Sequence, residues 1–387
     1  MLAPMQLREP VDPRLPWIRT LHDLDEARAL TNAGPRGTAL RRAGELLGED
    51  LREGPKVAAV RTLSLSTLIY PTTFAFNRAV PLPWPYVVLT HRCLLVQVDA
   101  DGERKNILFN PTDYEASAAT PFFAQLLAKM PNPDLGQRLL SKQWGQVDEQ
   151  LTELGLSAED IDVVAFDHFH TQDLRPILGS AVPTVDGVQM KARFPNAYLL
   201  APRAEWSDWD HLHPLQQSWF IADGKDGVPE DRVILTDNDL SLGAGCLLLG
   251  TPGHTTGNQT LFVHGERGVF GCSENGTSAD NWSPLESRIP GLRRQARDYG
   301  YEVVLNSNTP ELAAEQYNSM LLERSVVDRS EVDPAYVQMF PSSEVTPSLL
   351  APGIRPSMLF EERDSGTLRP SKVRAKPAVA AVAAAVS

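Results

Sequence analysis

The chain has 387 residues, of which 42% are hydrophobic, and its formal net charge is −13 at pH 7. This composition is typical of a folded globular protein, and the acidic balance argues against nucleic acid or an anionic membrane as a partner. No uncharged apolar run reaches the roughly 20 residues that span a bilayer. Cys93, Cys246 and Cys272 are too few for a disulfide framework, so we expect a reducing, cytoplasmic location.

Residues 1–80 are predicted to form an N-terminal extension of helix and loop. Asp23 to Leu51 has the apolar spacing of a helix, interrupted at AGPRG, residues 33–37. Two later segments, TLIYPTTFAF and VPLPWPYVVL, combine apolar and aromatic residues with prolines. Prolines in such runs are typical of covering loops and edge strands.

Short β-rich runs alternate with helical runs between residues 81 and 330. The predicted strands are CLLVQV, NILFN, IDVVAF, NAYLLA, RVILT, CLLLG, QTLFVH, GVFGC and EVVLN. The predicted helices are FFAQLLAKM, PLQQSWFIA, SRIPGLRRQARDYG and PELAAEQYNSMLLERS. This alternation predicts an α/β fold. Residues 331–387 are predicted to be a C-terminal extension, whose Ala- and Pro-rich end, KPAVAAVAAAVS, has the composition of a disordered tail.

The first candidate site follows the predicted strand IDVVAF, which runs directly into DHFH. Residues i and i+2 of an extended chain point the same way, so His168 and His170 are expected to project together. Two adjacent imidazoles can chelate zinc or a similar ion. A second His-x-His pair, His211 and His213, is predicted to lie on the surface or to line a pocket.

A third histidine lies in LLLGTPGHTTGNQTLFVH, where an apolar strand is followed by a turn and another strand. Pro252 and Gly253 shape the turn, and His254 stands at its tip. Together with His168 and His170 it could form a three-nitrogen zinc site with a fourth position free for water, which is the arrangement of a catalytic zinc. The alternative is that His254 only caps a turn.

These motifs resemble the metallo-β-lactamase superfamily, whose hallmark is a strand followed by HxHxDH and then a TPGHTPG-like loop. VVAFDHFHTQD and TPGHTTGNQTLFV match these two motifs. The segments NILFNPT and RFPNAYLLAPRAEW also resemble segments of the family, and all four occur in the family's order. The resemblance implies an αββα four-layer sandwich and is nearest to the lactonase and hydroxyacyl-thioester hydrolase branches.

The chain departs from the family at its second metal site. Gln172 and Asp173 occupy the positions of the family's Asp and next His, Cys272 occupies that of the bridging Asp, and the closing His falls near Asn306 or Asn308. The resemblance therefore implies one ion per chain, bound by His168, His170 and His254, with Asp173 and Cys272 as further candidate ligands. Zinc is the expected ion, and iron or manganese is possible.

The expected activity follows from such a site. Zinc lowers the pKa of its bound water to about 7, and the resulting hydroxide can attack an ester, lactone or thioester carbonyl of a small-molecule substrate. Asp173 is the candidate for proton transfer, and on that hypothesis Asp173→Asn reduces turnover by roughly 10²–10⁴. If Asp173 only caps a helix, the same change has little effect.

Two other functions are compatible with the sequence. The substituted second site is also expected of a metal-free pseudo-hydrolase that binds a small molecule or a protein. A mononuclear iron oxidoreductase is the other alternative, because iron dioxygenases share this fold, although Cys272 does not fit their two-His, one-carboxylate site. Elemental analysis of the bound metal separates these hypotheses. The oligomeric state is not indicated by the sequence.

Overall fold

The computed structural model describes residues 5–129, 142–183, 187, 189–237 and 239–369. Within these ranges the strands are β1 Leu7–Pro10, β2 Arg19–Leu21, β3 Ala59–Pro71, β4 Tyr86–Ala100, β5 Glu103–Phe109, β6 Val163–Ala165, β7 Tyr198–Pro202, β8 Val233–Thr236, β9 Asp239–Ser241, β10 Cys246–Gly250, β11 Gln259–Gly265, β12 Gly268–Ser273, β13 Met339–Pro341, β14 Ser343–Thr346 and β15 Ser365–Gly366.

The α-helices in the same ranges are α1 Asp25–Arg28, α2 Ala33–Glu53, α3 Thr72–Ala75, α4 Tyr114–Ala119, α5 Pro121–Ala128, α6 Val147–Glu153, α7 Arg175–Leu178, α8 Arg203–Asp208, α9 Ala279–Trp282, α10 Leu292–Tyr299 and α11 Ala313–Val326. Short 3₁₀ helices occupy Ala158–Asp160, Trp209–His211, Gln217–Trp219, Glu230–Arg232 and Pro310–Leu312. None of the described helices is long and apolar enough to cross a membrane.

The strands form two sheets. One has the order β1-β2-β9-β10-β11-β12-β13, and the other has the order β15-β3-β4-β5-β6-β7-β8, with β14 paired to β4. An apolar core between the sheets contains residues of both, for example Val96 and Ile107 of one and Leu248 and Leu261 of the other.

Each sheet buries its other face under helices. Leu40 and Leu47 of α2 and Leu321 of α11 cover β10 to β13 in a second core. A third core joins the outer face of the other sheet to α5, α6 and α7. The layer order is therefore helix, sheet, sheet, helix, which confirms the predicted αββα four-layer sandwich.

The candidate site lies at the ends of β6 and β10. The run Val163–Ala165 pairs in parallel with both β5 and β7, and all three of its residues are buried. A parallel strand that is buried on both faces requires such an uninterrupted apolar run. On the opposite sheet, β10 and β11 pair antiparallel, and the TPGHTTG turn connects them. Both histidine-bearing segments leave their strands at the same edge of the sandwich.

The predicted N-terminal extension is part of both sheets. β1 and β2 extend the first sheet through pairing with β9, and β3 pairs along its whole length with β4. The predicted segment TLIYPTTFAF, residues 67–76, therefore begins within β3 as sheet and not as a covering loop. Among the described residues, only Ala59 and Val60 of β3 also pair with β15, so the part of β3 in this segment is an edge strand, as the alternative prediction had it. The helix α2 begins at Ala33 and includes AGPRG, because Pro35 falls in the first helical turn, where no N–H is needed.

Two predicted elements of the middle zone differ from the structure. EVVLN forms no strand, and PLQQSWFIA contains only the short 3₁₀ turn Gln217–Trp219. The predicted C-terminal extension supplies β13, β14 and β15, since β13 pairs with β12 and β14 with β4. The segment KPAVAAVAAAVS lies outside the described residues.

Candidate metal centre

The first two histidines leave β6 with alternating orientation. Phe169, between them, is fully buried in the core under the helices, so His168 and His170 face the opposite side. The amide N–H of Phe169 donates to Glu205 Oε1 at 2.7 Å, which fixes the backbone between the two imidazoles. Phe166 packs edge-to-face on Phe169, with ring centroids 6.0 Å apart. Because the phenylalanines are buried on one side, the two histidines point together to the opposite side.

The third histidine is held at the tip of the turn after β10. The turn passes close to α11, since a Cβ on Gly253 would lie 2.3 Å from Gln316 Cα. The amide N–H of His254 donates to Asn275 Oδ1 at 3.0 Å, and the hydroxyl of Thr309 donates to His254 O at 2.5 Å. The prediction that Gly253 shapes this turn therefore has a physical reason, because only a residue without Cβ can approach the helix so closely.

The structure brings the three histidines together. One nitrogen of each ring lies within 4.8 Å of a nitrogen of the others, and His170 Nδ1 is 3.2 Å from His254 Nε2. Zinc–nitrogen bonds of about 2.0–2.1 Å in tetrahedral geometry place two ligand atoms roughly 3.3–3.4 Å apart. The separation in this chain is close to that value, so the donor set fits one ion.

Neighbouring side chains orient two of the imidazoles. His168 Nδ1–H donates to Asp167 Oδ1 at 2.7 Å, which leaves its Nε2 lone pair free for the cluster. His170 Nε2–H donates to Gln216 Oε1 at 2.8 Å, which leaves its Nδ1 lone pair free. Hydrogen bonds of this kind fix the tautomer and ring direction of metal-binding histidines. Neither Asp167 nor Gln216 was predicted, although Asp167 directly precedes the motif.

The imidazoles also form a hydrogen-bonded chain among themselves. Asn306 Nδ2 donates toward His254 Nδ1 at 3.3 Å, and His254 Nε2 lies 3.2 Å from His170 Nδ1. Asn306 also donates to Glu274 O and accepts from Tyr70, so its amide direction is set on both sides. In this arrangement His254 Nε2 carries the proton, and metal binding at Nε2 would require that proton to move to Nδ1.

The pKa values of the three histidines are shifted in different directions. Burial opposes a positive charge on His168, but the Asp167 carboxylate outweighs burial and raises the pKa of His168. Burial and the neighbouring His168 hold the pKa of both His170 and His254 well below the usual value. The latter two are therefore neutral at pH 7, as a metal ligand must be.

Asp173 lies outside the histidine cluster. Arg175 donates to both of its carboxylate oxygens, from Nε to Oδ1 at 2.9 Å and from Nη2 to Oδ2 at 2.8 Å. Between His170 and Gln172 the chain turns at Thr171, whose φ of +63° is left-handed. This turn presents Gln172, not Asp173, to the cavity beside the histidines. A direct role for Asp173 as ligand or proton shuttle has no geometric support in this arrangement.

Cys272 also lies apart from the cluster. It is 1% exposed on β12, in the apolar core between the sheets, opposite Leu261 and Phe340. Burial raises the pKa of its thiol well above the ordinary value, so the thiol is not ionised. Its side chain is a packing group here, and the three described cysteines are all free. A ligand role for Cys272 is likewise without geometric support.

The residues at the family's second metal positions do not fit a second ion. Gln172 donates through Nε2 to Thr112 Oγ1 and to His170 O, and Asn306 is fully hydrogen-bonded. Amides are weak metal ligands, because the nitrogen lone pair is delocalised and the oxygen carries no full negative charge. Among the described residues, the histidine, cysteine, aspartate and glutamate side chains form one group of three or more that could hold an ion, and it consists of the three histidines.

A buried carboxyl group, Glu274, lines the cavity behind the cluster. Its Oε2 accepts from the amide N–H of Ser343 at 2.9 Å and is 2.6 Å from Ser342 Oγ, which is also 2.5 Å from Asp167 Oδ2. Burial and the Asp167 charge raise the pKa of Glu274 to about 8. Glu274 is therefore protonated at pH 7, while Asp167, paired with His168, stays ionised.

Glu205 connects the two histidine-bearing loops. It is 1% exposed, and it accepts from Phe169 N through Oε1 and from Thr255 Oγ1 through Oε2, at 2.7 and 2.8 Å. Burial raises its pKa to about 7. Its only signal in the sequence is its place in RAEW, after the predicted strand NAYLLA.

The cavity over the histidines has an aromatic wall. Trp219 stacks on His170, with centroids 5.6 Å apart, and Phe122 stacks on Trp219 at 4.0 Å. Tyr70 and Phe74 pack against the same indole. The cavity volume is about 50 Å³. By this measure one water needs roughly 10–15 Å³, so a few waters or one small polar group fit.

The second His-x-His pair lies in a neighbouring cavity. His211 and His213 are exposed and line a space of about 210 Å³ together with Asp208 and Glu311. They are not part of the described metal-type cluster. The prediction that they line a surface or a pocket agrees with this position.

No protein-family model matches the chain, and no curated protein matches it with statistical support. Among solved structures it is similar to a probable metal-dependent hydrolase from Staphylococcus aureus, with 14% identity and a TM-score of 0.44 over 62% of this chain and 84% of that one. It is also similar to AidC, a dizinc quorum-quenching lactonase, with 13% identity and a TM-score of 0.44 over 78% and 95% of the two chains. AbOPH, a hydrolase in the beta lactamase superfamily, gives 15% identity and a TM-score of 0.38 over 64% and 85%.

Proposed function

We propose that this chain is a metal-dependent hydrolase of the metallo-β-lactamase superfamily, with one ion bound by His168, His170 and His254. The observation that carries the proposal is the convergence of three imidazole nitrogens. Two of the rings are oriented by hydrogen bonds at their other nitrogen, which points away from the cluster. A lone structural histidine needs no such convergence. The reaction proposed is hydrolysis of an ester, lactone or thioester.

Zinc is the proposed ion, because it accepts three neutral nitrogen ligands and leaves a fourth position open. When bound, such an ion supplies Lewis acidity and a water molecule of lowered pKa. One ion is proposed, not two, because Gln172 and Asn306 offer uncharged amides in place of charged ligands, and Asn306 is fully hydrogen-bonded within the protein.

The chain's own residues have separable tasks in this proposal. Asp167 and Gln216 hold two imidazoles in the tautomers that point a lone pair at the ion. Trp219 and Phe122 limit the number of waters at the site, which strengthens electrostatic interactions inside it. Glu274, protonated at pH 7, is the carboxyl group in the cavity that can donate a proton to a leaving group.

Metal content tests the proposal directly. Protein purified without chelator should contain about one zinc per chain by elemental analysis, and His254→Ala should contain far less. His211→Ala is the matched control, because it removes a histidine from the other His-x-His pair. Hydrolysis of a panel of lactones, esters and thioesters should follow the zinc content. Two tightly bound ions per chain, or equal zinc loss in both variants, would refute the single-ion site.

One observation favours a second candidate, a metal-free binding protein. The chain from Asn306 through His254 and His170 to Gln216 satisfies these imidazoles without any ion. A purified protein without metal, which takes up no zinc and hydrolyses nothing on the panel, would select this candidate. Iron with oxidase activity would instead select the oxidoreductase.

A further inference from the structure

The cavity beside the histidines contains polar atoms that have no partner in the protein. They are Gln172 Oε1, Asn308 Nδ2 and His91 Nε2, and all three residues line this one cavity. Gln172 is 4% exposed and Asn308 is 5% exposed. A buried polar group without a partner costs about 1–3 kcal/mol, so such groups are few in native structures. Their concentration in one place indicates that something from outside satisfies them.

Two hydrogen bonds fix the orientation of the Gln172 amide, and Gln172 lines the cavity. Its Nε2 donates to Thr112 Oγ1 at 3.0 Å and to His170 O at 3.2 Å. A backbone carbonyl can only accept, so the nitrogen must lie on that side and the oxygen on the other. Gln172 therefore offers a free acceptor, and the Nδ2 group of Asn308 offers a free donor. The pair matches a ligand with one donor and one acceptor.

The cavity does not favour an anion. Among the described lining residues there is no lysine or arginine. Burial lowers the pKa of His91 to about 4, and it is neutral at pH 7. A carboxylate or phosphate group in this cavity would lose its hydration, and no cationic side chain would compensate that loss; the proposed ion would be its one positive partner among the described lining residues. An uncharged group is the better occupant beside Gln172 and Asn308.

We propose that Gln172 and Asn308 form a polar subsite for an uncharged carbonyl compound that carries an N–H or O–H next to its carbonyl group. Asn308 Nδ2 donates to the carbonyl oxygen, and Gln172 Oε1 accepts from the N–H or O–H. The subsite occupies positions at which the superfamily places ligands of a second metal, so hydrogen bonds to neutral substrate take the place of that ion. This specificity rests on the proposed hydrolase function, but the binding step does not require it.

The probe is 2-pyrrolidinone, a small neutral lactam with N–H and C=O side by side. N-Methyl-2-pyrrolidinone lacks the donor and is otherwise similar. Titration followed by NMR of the isotope-labelled protein gives both dissociation constants, first for the zinc-loaded protein and then after zinc removal. We expect the N-methyl compound to bind about tenfold more weakly, because the Gln172 oxygen stays without a partner.

The variant Asn308→Leu removes the donor with little change in volume. It should weaken 2-pyrrolidinone binding by about tenfold and leave the unfolding midpoint unchanged or higher, because Asn308 Nδ2 has no partner to lose and Asn308 Oδ1 has only a long contact, 3.5 Å, with Thr309 Oγ1. Asn306→Leu is the matched contrast. It should lower the unfolding midpoint, because Asn306 exchanges hydrogen bonds with Tyr70 and Glu274.

The outcomes separate this subsite from the hydrolase proposal. Unchanged lactam affinity in Asn308→Leu, or equal binding of the two lactams, would overturn the subsite. A fall in the unfolding midpoint of Asn308→Leu similar to that of Asn306→Leu would also overturn it, since the residue would then be structural. If the lactam effects persist in a protein that retains no zinc and hydrolyses nothing, the subsite stands and the hydrolase proposal falls.

Discussion

Replacement of Asp167 by asparagine tests whether the group behind His168 prepares it for metal binding. Asp167 is buried, and its Oδ1 accepts from His168 Nδ1–H at 2.7 Å. Asparagine has the same shape and can still accept this hydrogen bond through its oxygen. The change therefore removes the negative charge, which is the group that raises the His168 pKa, and preserves the geometry.

The expected loss is a 10- to 100-fold weaker zinc affinity, which is the usual effect of changing a group that supports a metal-binding histidine. This range corresponds to about 1.4–2.7 kcal/mol of binding free energy. The loss arises because a carboxylate makes the imidazole a stronger donor to the ion, and a neutral amide does so less. Stability should change less, because asparagine keeps the shape of the side chain and its hydrogen bond from His168.

The assay is a zinc titration in competition with a chelating dye, at constant pH and with circular dichroism to establish folding. Asp173→Asn is the matched control, since this carboxylate lies six residues after Asp167 and pairs with Arg175, not with a histidine. We expect its zinc affinity to stay within about twofold of the wild type. An unchanged affinity in Asp167→Asn, or an equal loss in the control, would refute the role assigned to Asp167.

The remaining predictions concern buried groups around the site. Burial lowers the pKa of His91 from 6.5 to about 4. The contribution of neutral His91 to the free energy of unfolding is therefore complete above pH 6.5 and is lost as the pH falls toward 4. His91→Asn should therefore reduce the acid sensitivity of urea unfolding, by at most about 3 kcal/mol between pH 7 and pH 4. Glu323→Ala should lower the free energy of unfolding by more than about 4 kcal/mol, because the Glu323 carboxylate accepts four hydrogen bonds that have no substitute. Gly253→Ala should cost about 1–3 kcal/mol and weaken zinc binding, because the new Cβ would collide with Gln316 and displace His254; normal stability and zinc affinity would contradict this packing.

Gln172 and Asn308 stand at positions where the sequence resemblance led us to expect ligands of a second ion. Both residues line the same cavity as the histidines, and each has an unpartnered polar atom. Asp173, which seemed from its spacing to replace the lost carboxylate, is instead held by Arg175. The carboxyl group that does face the cavity is Glu274, two residues beyond Cys272.

The sequence alone was sufficient to predict the fold class and to predict that the three histidines lie close together. The burial of a short run such as VVA and the backbone geometry of a turn such as TPGH depend mainly on adjacent residues in the sequence. Both can therefore be predicted from a short stretch of sequence. The alternation of His168, Phe169 and His170 at the end of β6 needs only the two-residue period of extended backbone.

Sequence alone could not assign the partners of the polar side chains. Asp173 and Asp167 are both carboxylates near the same histidines, and one binds Arg175 while the other binds His168. The difference comes from the left-handed turn at Thr171, which rotates the following residues away from the cluster. The local sequence does not predict such a turn, because a β-branched residue rarely adopts a left-handed backbone conformation.

Only the tertiary structure decided which distant residues complete the site. Gln216, 46 residues from His170, and Glu205, 50 residues from Thr255, reach the cluster through loops that have no regular period. The N-terminal 80 residues likewise join both sheets, because β1, β2 and β3 find their partners far along the chain. Long-range strand pairing is determined by the free energy of burying whole apolar faces of the sheets. Because that burial occurs only in the assembled sandwich, it cannot be predicted from a short stretch of sequence.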